Sequence, residues 1–280
     1  MTATINPLSD VMGAEATGID LRTPPDDRTL STLTDALHRH VVLCIRDQSL
    51  EPDAFVKAAR LFGAPVRQVN KYLNFPDQPE IGMLSSDDRD VVGTGKRVIR
   101  GTTWHTDHSF TAQPPKATIL YALVVPESGG ETSFCNMRAA YDALPEQTKR
   151  RLDGLKAVHT YQSSRSPRKM MKLTEDEKEA LPEVVHPLVR THPATGAKAL
   201  YMSTTRLERI AGLERAESDA LIDELLTHAT KPEFQYDHVW QAGDMVIWDN
   251  RCSMHHANAN YPLDAKRLLH RIILEGEIPV

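Results

Sequence analysis

Apolar positions near the start of the chain recur at helical spacing and then give way to an unbroken apolar run. In DDRTLSTLTDALHRH, Leu30, Leu33 and Leu37 share one face, which predicts an amphipathic helix. The VVLCIR stretch that follows lacks polar alternation and reads as a buried strand. SLEPDAFVKAARLFG predicts a second helix, with Ser49 as N-cap, Pro52 in the first turn and Gly63 as the stop.

After Tyr72 the texture changes, and 76–101 is rich in loop-forming residues. ATILYALVVPESGGETSFCN predicts strands at 117–125 and 131–135, joined by a Gly-Gly turn. MRAAYDALPEQTKRRLDGL is helical with a break at Pro145, and one further amphipathic helix is expected at about 216–229. HPLVRTHP, KALYMS, DMVIWDN and RLLHRIILEGEI each read as strands. The charged segment 163–183 has no strand period and reads as an insertion, with the character of a lid. Strands dominate the second half, so the expected fold is mainly β with flanking helices, a sandwich or jelly roll. There is no sustained βαβ alternation and no dinucleotide glycine fingerprint, which disfavours a Rossmann fold.

Composition narrows the function classes. The 280 residues are 40% hydrophobic and 25% charged, as in ordinary globular proteins, and can be covered by one domain, 1–280. A formal charge of −5 with no basic arm argues against nucleic acid. No run approaches the ~18 apolar residues of a membrane helix, and the first residues lack a basic, then apolar, secretory pattern. Three scattered cysteines, Cys44, Cys135 and Cys252, make no disulfide framework, and a cytoplasmic location is expected.

The chemistry concentrates in three stretches. In GTTWHTDHSF, His105 and Asp107 would share a face if extended, with His108 pointing away. His-x-Asp is common by chance, so a third ligand is needed. DMVIWDNRCSMHHANANY offers His255 and His256, of which only one can face the same site. Two histidines and one carboxylate leave coordination positions open and suit non-haem Fe(II), whereas a structural zinc site would close all four, usually with cysteines. In KRLLHRIILEGEI, Arg267 and Arg271 share a strand face with Leu269 and Ile273. Cations on a core-like face must reach solvent, pair with Asp or Glu, which is the commoner case, or meet an acidic ligand.

WHTD, SGGETSF, WDNRCSMHHANANY and the closing RLLHR resemble, in order and spacing, the taurine and 2,4-dichlorophenoxyacetate dioxygenase family. The resemblance covers nearly the whole chain. It implies a double-stranded β-helix (jelly roll), Fe(II), and 2-oxoglutarate and O2 as cosubstrates. It also implies hydroxylation of a small anionic organic substrate, with succinate and CO2 released. Carried over, His105, Asp107 and His255 would be the iron ligands, with His256 the outward neighbour. Thr132 would lie at one end of 2-oxoglutarate and Arg267 would bind its distal carboxylate. Arg271 would lie near the substrate's acidic group or the same end of the cosubstrate. Relatives suggest a homodimer or homotetramer.

Two departures argue against taurine itself. Gly101 stands where taurine enzymes carry Asn, and VRQVNKY lacks their loop histidine. Arg67, Gln68, Asn70 and Tyr72 become the candidates to line the substrate pocket. Trp104 and Trp248 read as packing residues, and His38, His40, His159, His228 and His238 as surface or structural histidines. Asp249 and Asn250 would brace the turn before His255. In the insertion, Arg165, Arg168 and Lys169 could face an anionic substrate, although a solvated charged loop accounts for them equally well. Two rivals use the same residues: a zinc hydrolase, which leaves Arg267 and Thr132 without a ligand, and a non-redox jelly-roll module that captures small acids.

Overall fold

In the computed structural model, residues 3–67, 74–75, 77–89, 95–168, 174, 179–262 and 264–280 are described. The strands are β1 (Thr4–Pro7), β2 (Ala14–Thr17), β3 (Val42–Ile45), β4 (Asn74–Phe75), β5 (Gln78–Ser85), β6 (Ala117–Val124), β7 (Thr132–Asn136) and β8 (Lys156–His159). They continue with β9 (Val184–Pro187), β10 (Val189–Thr191), β11 (Lys198–Leu200), β12 (Leu207–Ile210), β13 (Gln235–His238), β14 (Met245–Asp249), β15 (Ser253–Ala257) and β16 (Leu268–Leu274). Five α-helices accompany them among the described residues: α1 (Asp27–His40), α2 (Pro52–Arg60), α3 (Met137–Asp142), α4 (Glu146–Leu152) and α5 (Arg215–Ala229).

The main sheet has eight strands in the order β1-β2-β3-β14-β6-β16-β5-β4, and a smaller sheet runs β13-β7-β15. Alternation along the central strands divides the core in two. Val42, Cys44, Leu120, Ala122, Val246, Trp248 and Leu269 pack with Phe134, Cys135 and Met254 of the smaller sheet. Leu43, Ile45, Ile119, Tyr121, Met245, Ile247 and Ile272 instead pack against Leu33 and Leu37 of α1 and Phe55 and Ala59 of α2. Both faces of these strands are therefore covered, which explains the unbroken apolar run in β3. This is the expected jelly-roll architecture with helices on the outer face of the larger sheet.

Several local expectations are corrected. Helix α2 starts at Pro52 after Glu51, so Ser49 is not its N-cap. Proline opens the helix because its missing N–H would have had no partner there. Helix α1 is capped by Asp26, whose carboxylate accepts from Thr29 N at 2.8 Å. The loop-rich reading of 76–101 missed β5, an eight-residue strand hydrogen-bonded to β16. Its Pro, Gly and charged residues hide it, and only pairing reveals it. The strands flanking Gly129 and Gly130 do not pair with each other, because β6 belongs to the main sheet and β7 to the smaller one. Both glycines take left-handed φ, at 75° and 76°, and carry the chain across.

Within 163–183, residues 169–173 and 175–178, including Lys169, lie outside the described residues. The first part is tied down: Ser163 N donates to Thr205 O at 3.2 Å and Ser163 Oγ to Leu207 O at 2.8 Å. Arg165 is engaged by Asp219 and Asp223, so its charge serves the packing of this segment onto α5. Among the described residues, no helix is long and apolar enough to cross a membrane.

Candidate metal centre and acid-binding cavity

The segment from Gly101 to His105 runs beside β15. His105 N donates to His255 O at 3.0 Å and His255 N to His105 O at 2.8 Å, while Ala257 N donates to Gly101 O at 2.7 Å. His105 and His255 are therefore a directly bonded antiparallel pair, which sets their rings on one side with centroids 4.2 Å apart. Past His105 the chain leaves the ladder. Thr106 Oγ1 donates to Asn250 O at 2.8 Å, and His108 adopts φ 44°. Asp107 thus reaches the two rings from a turn, not from a continuous strand as the spacing had suggested.

Ligand atoms of His105, Asp107 and His255 all lie within 4.8 Å of one another. Each imidazole Nε2 is 3.8 Å from an Asp107 carboxylate oxygen, too far for a hydrogen bond and close enough to share one ion. His105 Nδ1 donates to Thr103 O at 2.7 Å, which leaves the Nε2 lone pair facing Asp107. Burial pushes the His105 pKa down and that of His255 to about 3, so both rings are neutral at pH 7. Burial would raise the Asp107 carboxyl, but the neighbouring His255, His105 and Arg271 hold it well below the usual carboxylate range.

A hydrogen-bond relay fixes that carboxylate. Thr118 Oγ1 donates to Asp107 Oδ2 at 2.6 Å, Asn250 Nδ2 to Thr118 Oγ1 at 2.9 Å, and Trp248 Nε1 to Asn250 Oδ1 at 3.1 Å. Asp249 accepts from Arg251 and His192 in the turn before β15. The bracing expected of Asp249 and Asn250 is thus visible, and Trp248, taken only as packing, anchors the relay and packs at a tilt against His255, with ring centroids 4.6 Å apart. Thr118 was missed. A Thr in an apolar run gives no sign of its partner 11 residues back in the chain.

The cluster opens into a cavity of about 120 Å³ that also exposes Thr132, Arg267 and Arg271. Thr132 Oγ1 accepts from Trp240 Nε1 at 3.0 Å. Arg267 is only 8% exposed, its Nε has no hydrogen-bond partner among the described residues, and its guanidinium lies 6.0 Å from the Trp240 ring centroid. Burial lowers the pKa of both Arg267 and Arg271, which nevertheless remain charged. Leu84, Ile99, Leu120 and Trp248 supply the apolar wall, and an Arg100–Asp88 pair at 3.0 Å lines another part. Gly101 stands in the wall at φ 74°, where a Cβ would come within 3.3 Å of His105 Cε1. A larger residue here would crowd the histidine.

His256 turns away and meets Trp104 edge-on at 4.3 Å, and His108 is not part of the cavity wall. Arg67 is exposed, and Gln68, Asn70 and Tyr72 lie outside the described residues. Of the remaining histidines, His159 is fully buried with Nδ1 3.0 Å from Ser109 Oγ but its Nε2 without a partner among the described residues, so it is structural yet only half satisfied there. Two further groups, His38–His192–Asp249 and Cys44–His238–Asp244, have metal-ligand composition. Both are closed by direct hydrogen bonds and an arginine: His192 Nε2 to Asp249 at 2.9 Å beside Arg251, and His238 Nε2 to Asp244 at 3.2 Å beside Arg46.

Comparison with known proteins agrees with this geometry. The 2,4-dichlorophenoxyacetate dioxygenase of Cupriavidus pinatubonensis, described as α-ketoglutarate-dependent, is 36% identical, with 97% of each chain covered. The α-ketoglutarate-dependent sulfate ester dioxygenase of Pseudomonas putida is 34% identical over 99% of this chain and 90% of its own. A crystal structure of a taurine dioxygenase from Burkholderia xenovorans superposes with a TM-score of 0.85 at 32% identity, covering 100% of this chain and 91% of that one. The profile of the taurine catabolism dioxygenase TauD, TfdA family matches residues 4–273, and the chain belongs to that family.

Proposed function

We propose that the protein is an Fe(II)- and 2-oxoglutarate-dependent dioxygenase. It hydroxylates a small anionic organic substrate of the aryloxyalkanoate, sulfonate or sulfate-ester class and releases succinate and CO2. The observation that carries the reading is one cavity joining an unbonded His–Asp–His cluster to a buried arginine, Arg267, and a half-buried one, Arg271. Two neutral imidazoles and one carboxylate suit Fe(II) with positions left open. The unpartnered Nε of Arg267 suits the far carboxylate of a dicarboxylic acid. A zinc hydrolase or a non-redox binding module would give the arginine and the open metal face, respectively, nothing to do.

His105, Asp107 and His255 would hold the iron, and Arg267 with Thr132 would hold 2-oxoglutarate. When bound, iron and 2-oxoglutarate together supply the O2-derived oxidant that replaces a substrate C–H by C–OH. The protein's part is placement. Thr118 keeps one Asp107 oxygen occupied and the carboxylate in one rotamer, Thr103 O sets the His105 tautomer, and the apolar wall limits water. Arg271 would lie near the substrate's acidic group or the cosubstrate's distal end. Where the hydroxylated carbon bears an ether oxygen, a sulfonate sulfur or a sulfate-ester oxygen, that C–O or C–S bond breaks to give a carbonyl compound and the released group.

We read residues 1–280 as one catalytic unit in a reducing compartment, a reading supported by the span of the family match and three free, buried cysteines. The test is succinate release from Fe(II)-loaded protein given 2-oxoglutarate and O2, with a panel of aryloxyacids, sulfonates and alkyl sulfates. Wild type should show substrate-stimulated succinate and Asp107→Ala none. Equal succinate from both would overturn the assignment.

A further inference from the structure

A cavity of about 300 Å³ lies on the helix-covered side of the main sheet, between α1, the end of α2 and the start of β6. It shares no lining residue with the cavity in front of the metal cluster. Leu37, Leu61, Phe62 and Ala117 give it apolar walls, and Ala194, in the exposed turn between β10 and β11, stands at its rim. Two cations, Lys116 and Arg251, also line it, and none of the described residues around it is acidic.

The two cations differ. Arg251 spends Nε and Nη2 on Asp249, at 2.8 and 2.6 Å, so its charge is met within the protein. Its Nη1 is 3.8 Å from Glu277, beyond hydrogen-bond reach. Lys116 is half-buried and has no carboxylate partner among the described residues. Gly63 leaves room for its ammonium, because a Cβ there would lie 2.7 Å from Nζ. The backbone fixes where the side chain starts: Lys116 O accepts from Asn250 N at 2.9 Å. His38 adds an imidazole to the wall, with its pKa lowered by burial, so the ring is neutral at pH 7.

Water alone would solvate the ammonium but would leave Leu37, Leu61 and Phe62 facing it. A ligand with one anionic end and an apolar body suits both halves of the cavity. We propose that this cavity is a second ligand site, separate from the metal centre, for a small organic acid. The carboxylate pairs with Lys116, and a short alkyl or aryl body lies against Leu37, Leu61 and Phe62.

The experiment titrates benzoate and hexanoate, each against its alcohol, into the full chain in the presence of Zn(II), with leucine methyl groups observed by NMR. At least one acid should shift the Leu37 and Leu61 signals saturably and bind roughly 5- to 20-fold more tightly than its alcohol. Lys116→Met should weaken that acid by a similar factor and leave the alcohol within about twofold, whereas Lys116→Arg should retain acid binding. Ala194→Trp, a change in an exposed turn, should obstruct acid and alcohol alike.

Acid-induced shifts confined to Leu84 and Leu120, which line the metal-centre cavity, would overturn the proposal. So would a wild type that binds neither acid, or acid binding at Leu37 and Leu61 that Lys116→Met leaves unchanged. An equal loss of acid and alcohol in Lys116→Met would make the lysine a shaper of the cavity with no part in recognising the acid, and would overturn it as well.

Discussion

Two clusters of the same residue types show opposite designs. Around Asp249, His192 and Arg251 hydrogen-bond directly to the carboxylate, and every component is spent on another. Around Asp107, the two histidines stop 3.8 Å short of the carboxylate and turn their lone pairs inward. The first arrangement is a structural knot, in which charges neutralise one another. The second holds donor atoms close without letting them satisfy each other. Composition does not separate the two, since each brings three potential ligand atoms within 4.8 Å of one another. The unfilled hydrogen-bonding distance does, together with the cavity in front of it.

The comparison breaks if Asp107 proves to be mainly structural. Asp107→Ala is expected to reduce succinate formation to background and to abolish stabilisation by Mn(II). In wild type that stabilisation should reach about 2.7 kcal/mol at 100 times the dissociation constant. Thermal melts with and without the metal check this. Asp249→Ala should behave in the opposite way, costing about 3–5 kcal/mol because it strands buried Arg251 and His192. Urea unfolding should show the loss, and bound metal per folded chain should remain at the wild-type value.

Thr118→Val sharpens the contrast, because it removes the one direct hydrogen bond to the Asp107 carboxylate among the described residues while filling the same volume. Metal affinity should fall roughly 10- to 100-fold with little change in unfolding midpoint, measured by competition with a chelator. The smallest effect concerns acid. Burial lowers the His159 pKa to about 3, below its unfolded value of about 6.5. The unfolded chain therefore takes up this proton first as pH falls. The contribution is complete above about pH 6.5 and is lost progressively toward pH 3, with a slope of up to about 1.4 kcal/mol per pH unit. His159→Gln should flatten the stability–pH curve in that window by up to one proton.

The sequence displayed the site better than its supports. His105 and Asp107 are neighbours in the chain, and adjacent His255 and His256 must diverge on a strand, so local geometry was enough to nominate them. Arg267 and Arg271 were legible for the same reason, since a strand puts them on the face of Leu269. Thr118 and Trp240 were not legible, because each acquires its role from a partner distant in the sequence. Strand β5 escaped because its hydrophobic alternation is weak and its stability comes from pairing with β16. The long apolar strands and amphipathic helices were readable because each buries its own face. Short strands such as β1, β8 and β12 exist only through their neighbours.

The reciprocal backbone bonds between His105 and His255 also bear on how the protein is made. They join residues 150 positions apart in the sequence. A ribosome that has synthesised the chain as far as Asn250 has released two of the proposed ligands but no pocket. Closing so long a loop costs entropy that only the assembled sheets repay. Metal capture should therefore be a late event in biogenesis, and a stalled nascent chain lacking β15 should pass through the cell without competing for iron.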